Sequence, residues 1–197
     1  MIQTACRRLP ALLLLLGLAA CSAAPGGGQP GYLLPAGTAA ATHPEAGAAI
    51  AVAPVRVADF LDGEGIVMQL SDIEVYPARQ HLWAQELPGQ LQQLLQQRLA
   101  AALPATQVVS RGQPLLAGLP AREVRLRLDR FQGRYDGVAL AQGQWQLLDG
   151  QGRLLAQADF SVARPLPEDG YPALVRTLAA AWEQVADELA AELALGL

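Results

Sequence analysis

Gly137-Val-Ala-Leu-Ala-Gln-Gly-Gln-Trp-Gln-Leu-Leu-Asp149, followed by Gly150-Gln151-Gly152, is the stretch whose reading decides the fold. Ala139, Ala141, Gly143, Trp145 and Leu147 alternate with Val138, Leu140, Gln142, Gln144, Gln146 and Leu148. Side chains on a strand point to opposite faces in turn, so this period of two predicts a long strand with one apolar face. Asp149-Gly150 supplies hairpin-turn residues. The chain then returns in a second strand, with Leu154, Ala156, Ala158, Phe160 and Val162 predicted inward and Gln157, Asp159 and Ser161 outward.

Upstream, residues 122–130 carry the same code. Val124, Leu126 and Leu128 face one way and Glu123, Arg125, Arg127 and Asp129 the other. Phe131 falls on the polar parity, which predicts either a bulge near Asp129 or Arg130 or a Phe131 packed on the opposite face. These three long neighbours are predicted to form an antiparallel meander. Shorter strands are predicted from Ile50, Val52, Pro54, Val55 and Val57, at 66–70, at 73–76 and at 107–110.

Two helices frame the strands. Trp83, Leu87, Leu91, Leu94, Leu95, Leu99, Ala102 and Leu103 recur at helical spacing, with Gln92, Gln93, Gln96, Gln97 and Arg98 largely opposite. Pro88 is tolerated only in a first turn, so this helix is predicted to begin at 84–87, with Glu86 at its positive end and Pro104 beyond its close. From Pro172, Leu174, Leu178, Trp182, Val185, Leu189 and Leu193 form the second apolar stripe. The expected class is α/β, α+β-like, with one mixed, largely antiparallel β-sheet and two amphipathic helices packed on it.

The amino-terminal end has a different character. Arg7 and Arg8 precede an apolar run (Leu9, 11–16, Leu18) and then Leu18-Ala19-Ala20-Cys21. That run is shorter than the roughly 20 residues of a membrane-spanning helix, and it reads as a signal peptide over 1–20. Leu-Ala-Ala-Cys resembles the bacterial lipobox, which implies diacylglycerol on the Cys21 thiol and cleavage before it. The alternative is an ordinary secretory signal followed by a fortuitous Cys. Ser22, where Asp favours inner-membrane retention in enteric lipoproteins, points to the outer membrane, periplasmic face.

Cleavage leaves 12 basic residues, all Arg, against 18 acidic ones, a net charge of −6. Nucleic acid as a partner is thereby disfavoured. With Cys6 removed and Cys21 lipidated, no thiol remains for a disulfide. Residues 22–49 number 28, of which 19 are Gly, Pro or Ala, a flexible-linker composition. Within it, Tyr32-Leu33-Leu34-Pro35 is predicted to dock as a short edge strand, with Pro35 at the strand end. The expected organisation is signal 1–20, lipidated terminus and linker 21–49, and one periplasmic domain 50–197. From Cys21 to Tyr32 the tether spans at most about 36 Å.

Catalytic signals are sparse. The histidines are His43, in the linker, and His81. No Gly-x-Ser-x-Gly, His-Glu-x-x-His, Walker or Gly-x-Gly-x-x-Gly pattern occurs, and neither Gly26-Gly27-Gly28 nor Gly63-Glu64-Gly65 is followed by phosphate-cradling residues. Asp59, Asp62, Glu64, Asp72 and Glu74 match no calcium-loop spacing and read as solvated turn residues. Glu123, Arg125, Arg127 and Asp129 read as an exposed sheet face, with a subunit contact as the sharper alternative. The expectation is no enzyme, no catalytic residue, no cofactor and no metal, with lipidation at Cys21 as the functional position.

Tyr32-Leu33-Leu34-Pro35, Ile50-Ala51-Val52-Ala53-Pro54-Val55, Phe60-Leu61-Asp62 with Ile66-Val67, and His81-Leu82-Trp83-Ala84-Gln85-Glu86-Leu87 follow the lipobox in order. In motif order and spacing this series resembles the PqiC (YmbA) family, the ABC-type transport auxiliary lipoproteins. Gly31 departs from the family's frequent second aromatic, and Gln85 stands where the family commonly has a carboxylate or similar polar residue. The resemblance implies an outer-membrane-anchored lipoprotein working with a PqiB-like MCE-domain protein of an inner-membrane permease complex. It also implies a ring homo-oligomer that docks the lipid conduit and supports envelope integrity. The competing readings are a lipoprotein activator of a cell-wall synthase, for which the tether is short, and a hydrolase using His81 or a carboxylate pair.

Overall fold

The structure is a computed structural model that describes residues 30–36 and 46–196. Cys21, His43, the signal peptide expected at 1–20 and much of the linker expected at 21–49 lie outside these residues. The elements in chain order are β1 (Gly31–Tyr32), β2 (Ala48–Val52), β3 (Arg56–Val57), a 3₁₀ turn (Asp59–Leu61), β4 (Gly65–Gln69), β5 (Val75–Trp83), α1 (Leu87–Ala102), β6 (Thr106–Ser110), β7 (Ala121–Arg134), β8 (Val138–Asp149), β9 (Leu154–Pro165) and α2 (Tyr171–Gly196).

β7 is the spine of one mixed sheet that takes in all nine strands of the described residues. One of its edges pairs antiparallel with β8, which pairs antiparallel with β9. The other edge receives three short parallel strands end to end: β2 against Ala121 to Val124, β3 against Arg127 and Leu128, and β4 against Gly133 and Arg134. β6 extends the sheet from β2, while β5 and then β1 extend it from β4. The long ladders are antiparallel and the short ones mostly parallel. This is an α+β fold.

The parity slip at Phe131 has its cause in β7. Register shifts between Leu128 and Arg130, and this bulge returns Phe131 to the buried side, where it is 1% exposed. Gly143 lies opposite Leu128 on β8. A Cβ there would strike the Arg127 carbonyl oxygen and come within 2.9 Å of Phe160 Cζ, so the bulged strand requires a residue without a side chain.

Both helices pack on the sheet and on each other. Leu174, Leu178, Trp182, Val185, Leu189 and Leu193 are each at most 1% exposed, so the stripe read from spacing is the buried face of α2. Trp182 ties α2 both to α1 and to the sheet. Its indole N–H donates to the Leu91 carbonyl of α1 at 2.9 Å, and Phe131 and Phe160 meet it edge-on at 6.4 and 6.3 Å between ring centroids.

Four expectations are corrected. Trp83 ends β5 and is not on α1, which begins at Leu87 with Pro88 in its first turn and Glu86 as N-cap without a capping side-chain bond. β5 does not stop at Tyr76 but runs on through Pro77 to Trp83. The strand read across 50–57 is broken between β2 and β3 around Pro54, which has no N–H for the ladder. Leu154, Ala156 and Ala158 are exposed, unlike Phe160 and Val162. Ala156 and Ala158 line a cleft of about 380 Å³ with Val185, Glu188, Leu189 and Glu192 of α2, because small side chains do not fill the gap there.

Candidate functional site

The best-defined constellation outside the core is the joint at which the amino-terminal arm meets the fold. β1 lies parallel to the end of β5, Gly31 beside Leu82 and Tyr32 beside Trp83. The approach is close: a Cβ on Gly31 would lie 2.6 Å from the Ala84 Cβ. Ala84 N–H donates to the Tyr32 carbonyl at 2.8 Å, and Leu34 N–H donates to Gln90 Oε1 at 2.8 Å. Gln90 Nε2 in turn donates to the Gln85 carbonyl at 2.8 Å. Gln90 is buried, and both ends of its amide are used, so it ties the arm to the start of α1. Leu34 is buried beside it, whereas Leu33 and Pro35 are exposed.

Three rings complete the joint. The Tyr32 hydroxyl lies 3.1 Å from His81 Nδ1, and the His81 ring stacks on Tyr171 with centroids 3.8 Å apart. Tyr171 opens α2, so the stack connects arm, sheet edge and helix. Burial, then the neighbouring phenols of Tyr76 and Tyr32, push the Tyr171 hydroxyl above its ordinary value of 10.0. His81, weighed as a catalytic base, is placed here between two tyrosines. The acidic set does not assemble: Asp59, Asp62, Glu64, Asp72 and Glu74 are all exposed, and among the described residues no group of three or more His, Cys, Asp or Glu is placed to hold a metal ion.

Glu123, Arg125, Arg127 and Asp129 form the mixed-charge outer face expected of them, with Arg125 to Glu123 at 2.6 Å and Arg127 to Asp129 at 3.1 Å. At the β4–β5 connection Leu70, Ile73, Val75 and Tyr76 are exposed, Ile73 at 91%. Together they leave an apolar turn in solvent, the kind of surface on which contacts form. No helix of the described residues is long and apolar enough to cross a membrane.

Sequence reasoning passed over Gln90 and Tyr171. Gln90 carried a usable signal, because a Gln three residues after Leu87 and four before Leu94 stands on the apolar stripe and must find a partner there. Tyr171 carried none, since its ring neighbours are remote in sequence.

A family model for ABC-type transport auxiliary lipoprotein components matches residues 32–190. The chain is 37% identical over 142 residues to the intermembrane transport lipoprotein PqiC of Escherichia coli, covering 72% of this chain and 73% of that one. A crystal structure of an uncharacterised protein superimposes with a TM-score of 0.71 at 32% identity, covering 83% of this chain and 97% of the other. A Xanthomonas campestris protein shares the fold, with a TM-score of 0.66 at 20% identity over 82% of this chain and 92% of its own.

Proposed function

Because this chain belongs to the family of ABC-type transport auxiliary lipoprotein components, we propose that it is a non-enzymatic, lipid-anchored subunit of an intermembrane lipid transport system. The observation that carries the reading is the extent of the match, which begins at Tyr32 in the arm and continues into α2. The similarity to PqiC supports it over the activation of a cell-wall synthase.

In this reading Cys21 bears the lipid, residues 1–20 are removed, and 50–197 form the periplasmic domain. The anchor sits in the outer membrane, as Ser22 suggests. The clasp of Tyr32, Leu34 and Gln90 supports a short tether, since it leaves only the 11 residues from Cys21 to Tyr32 to span the distance from the bilayer, at most about 36 Å. The domain then works close to the membrane, where it docks the end of a conduit built by an MCE-domain partner. Assembly as a ring of identical subunits completes the proposal.

The test is in vivo cross-linking followed by mild detergent extraction and mass spectrometry, alongside density-gradient separation of the two membranes. Recovery of an MCE-domain protein from the outer-membrane fraction, lost in Cys21→Ala, is the expected result. Wild-type protein that yields no such partner, or that bands with the inner membrane, overturns the assignment. Light scattering of the extracted protein reads the ring as a discrete assembly above one subunit.

A further inference from the structure

We propose that the cleft on the outer face of the sheet, bounded by Arg56, Arg111, Arg125 and Arg127, is a binding site for a phosphate-type oxyanion. The cleft has a volume of about 370 Å³, and Gln144 and Gln146 complete its polar wall. This inference goes beyond the transport reading and does not depend on it.

Four arginines line one cleft although the chain carries more acid than base. The ladder explains how. Arg56 of β3 lies directly beside Arg127 of β7, Arg127 is paired with Gln144 of β8, and Arg125 with Gln146. Like charges directly opposite across a sheet destabilise it, so nothing in the folding of the strands favours Arg56 beside Arg127.

The local carboxylates compensate only in part. Glu123 Oε1 accepts from Arg125 Nε at 2.6 Å and from Arg111 Nη1 at 3.4 Å, and Asp129 takes Arg127 at 3.1 Å. Asp159, next in the same row, accepts from Gln144 Nε2 at 3.1 Å. Among the described residues the Arg56 side chain has no ion pair or hydrogen bond.

A planar fork binds carboxylate or phosphate through two parallel hydrogen bonds, and a tetrahedral oxyanion can accept from several forks at once. Four guanidinium groups against the two carboxylates that pair with them leave two positive charges, which suits a phosphate carrying up to two negative ones better than a single carboxylate. The volume exceeds that of a bare ion, so the phosphate can belong to an organic group. A phospholipid headgroup and a free phosphate or phosphomonoester share this chemistry.

Calorimetry on the full chain in non-ionic detergent, at constant ionic strength, separates them. The probes are inorganic phosphate, dihexanoyl phosphatidic acid, dihexanoyl phosphatidylcholine and acetate. Saturable binding of phosphate or phosphatidic acid at one site per chain is expected, weakened at least about tenfold by Arg56→Gln with Arg127→Gln and unchanged by Arg176→Gln on α2, which packs on the opposite face of the sheet. Phosphatidic acid binding more tightly than phosphate identifies a lipid headgroup; equal binding identifies the free ion. The proposal is overturned by no saturation up to about 10 mM, by a natively folded double variant that binds as well as wild type, or by acetate matching phosphate. Arg56→Gln alone, at an exposed side chain, serves if the double variant misfolds.

Discussion

On β7, Val124, Leu126 and Leu128 are buried under the helices, while Arg125 and Arg127 between them are exposed to solvent. The two faces share one backbone and one alternation, yet they answer to different constraints. The covered face is closed by Trp182, whose ring and N–H are both satisfied by neighbours from three other elements, α1, β7 and β9. The outer face brings like charges together across β3 and β7. One face is what the fold needs, and the other is what the fold tolerates. Substitutions should therefore differ in sign as well as size between them.

The largest effect is expected on the covered face. Trp182→Ala removes a fully buried indole and leaves the Leu91 carbonyl short of a donor, and should cost about 3–5 kcal/mol in denaturant unfolding. A loss below about 1 kcal/mol would mean that α2 is not held by this contact. Gly143→Ala comes next, at about 1–3 kcal/mol, because its methyl group meets the Arg127 carbonyl and Phe160. A neutral result would show that the bulge at Leu128 can relax.

The outer face should respond the other way. Arg56→Gln is expected to stabilise the protein by up to about 1 kcal/mol at low salt by relieving Arg127, with the gain fading as salt screens the charges. Destabilisation would show that the Arg56 stem packs on the sheet.

The smallest effect lies at the β8–β9 turn. Asp149 accepts from the backbone N–H and side chain of Arg153 and from the backbone N–H of Gln151, which hold its carboxyl below the ordinary 3.8. A depressed folded pKa contributes stability above the unfolded value, and that contribution is lost as pH falls through the folded one. Thermal midpoints of wild type and Asp149→Asn should thus differ near pH 6 and converge as pH drops well below about 4. A constant difference would assign the effect to shape and not to charge.

Local code explains what was legible. The α2 stripe and the β8–β9 turn are written in residues close together along the chain and could be read locally, whereas the parity slip at Phe131 was visible but left a bulge and a Phe131 on the opposite face as alternatives, which the register of β7 and β8 decides. Trp83 misled because it stands four residues before Leu87, a helical interval that two different elements happen to share. Leu154, Ala156 and Ala158 misled because alternation gives the face of a strand but not whether anything covers it. The parallel ladders of β2, β3 and β4 on β7 leave no trace in the sequence, since pairing between distant segments has no local periodicity. For the same reason the arginine cleft was half visible, as Arg125 and Arg127, while Arg56 and Arg111 join them only in the folded sheet.

The joint at β1 also has a mechanical consequence. A force applied on the amino-terminal side of Gly31 reaches two residue pairs, one tyrosine clasp and the Leu34–Gln90 bond before it reaches the core. If these yield, load passes next to β2, which is held on both sides by its pairing with β6 and β7. The arm would behave as a fuse, giving way under tension while the sheet stays intact.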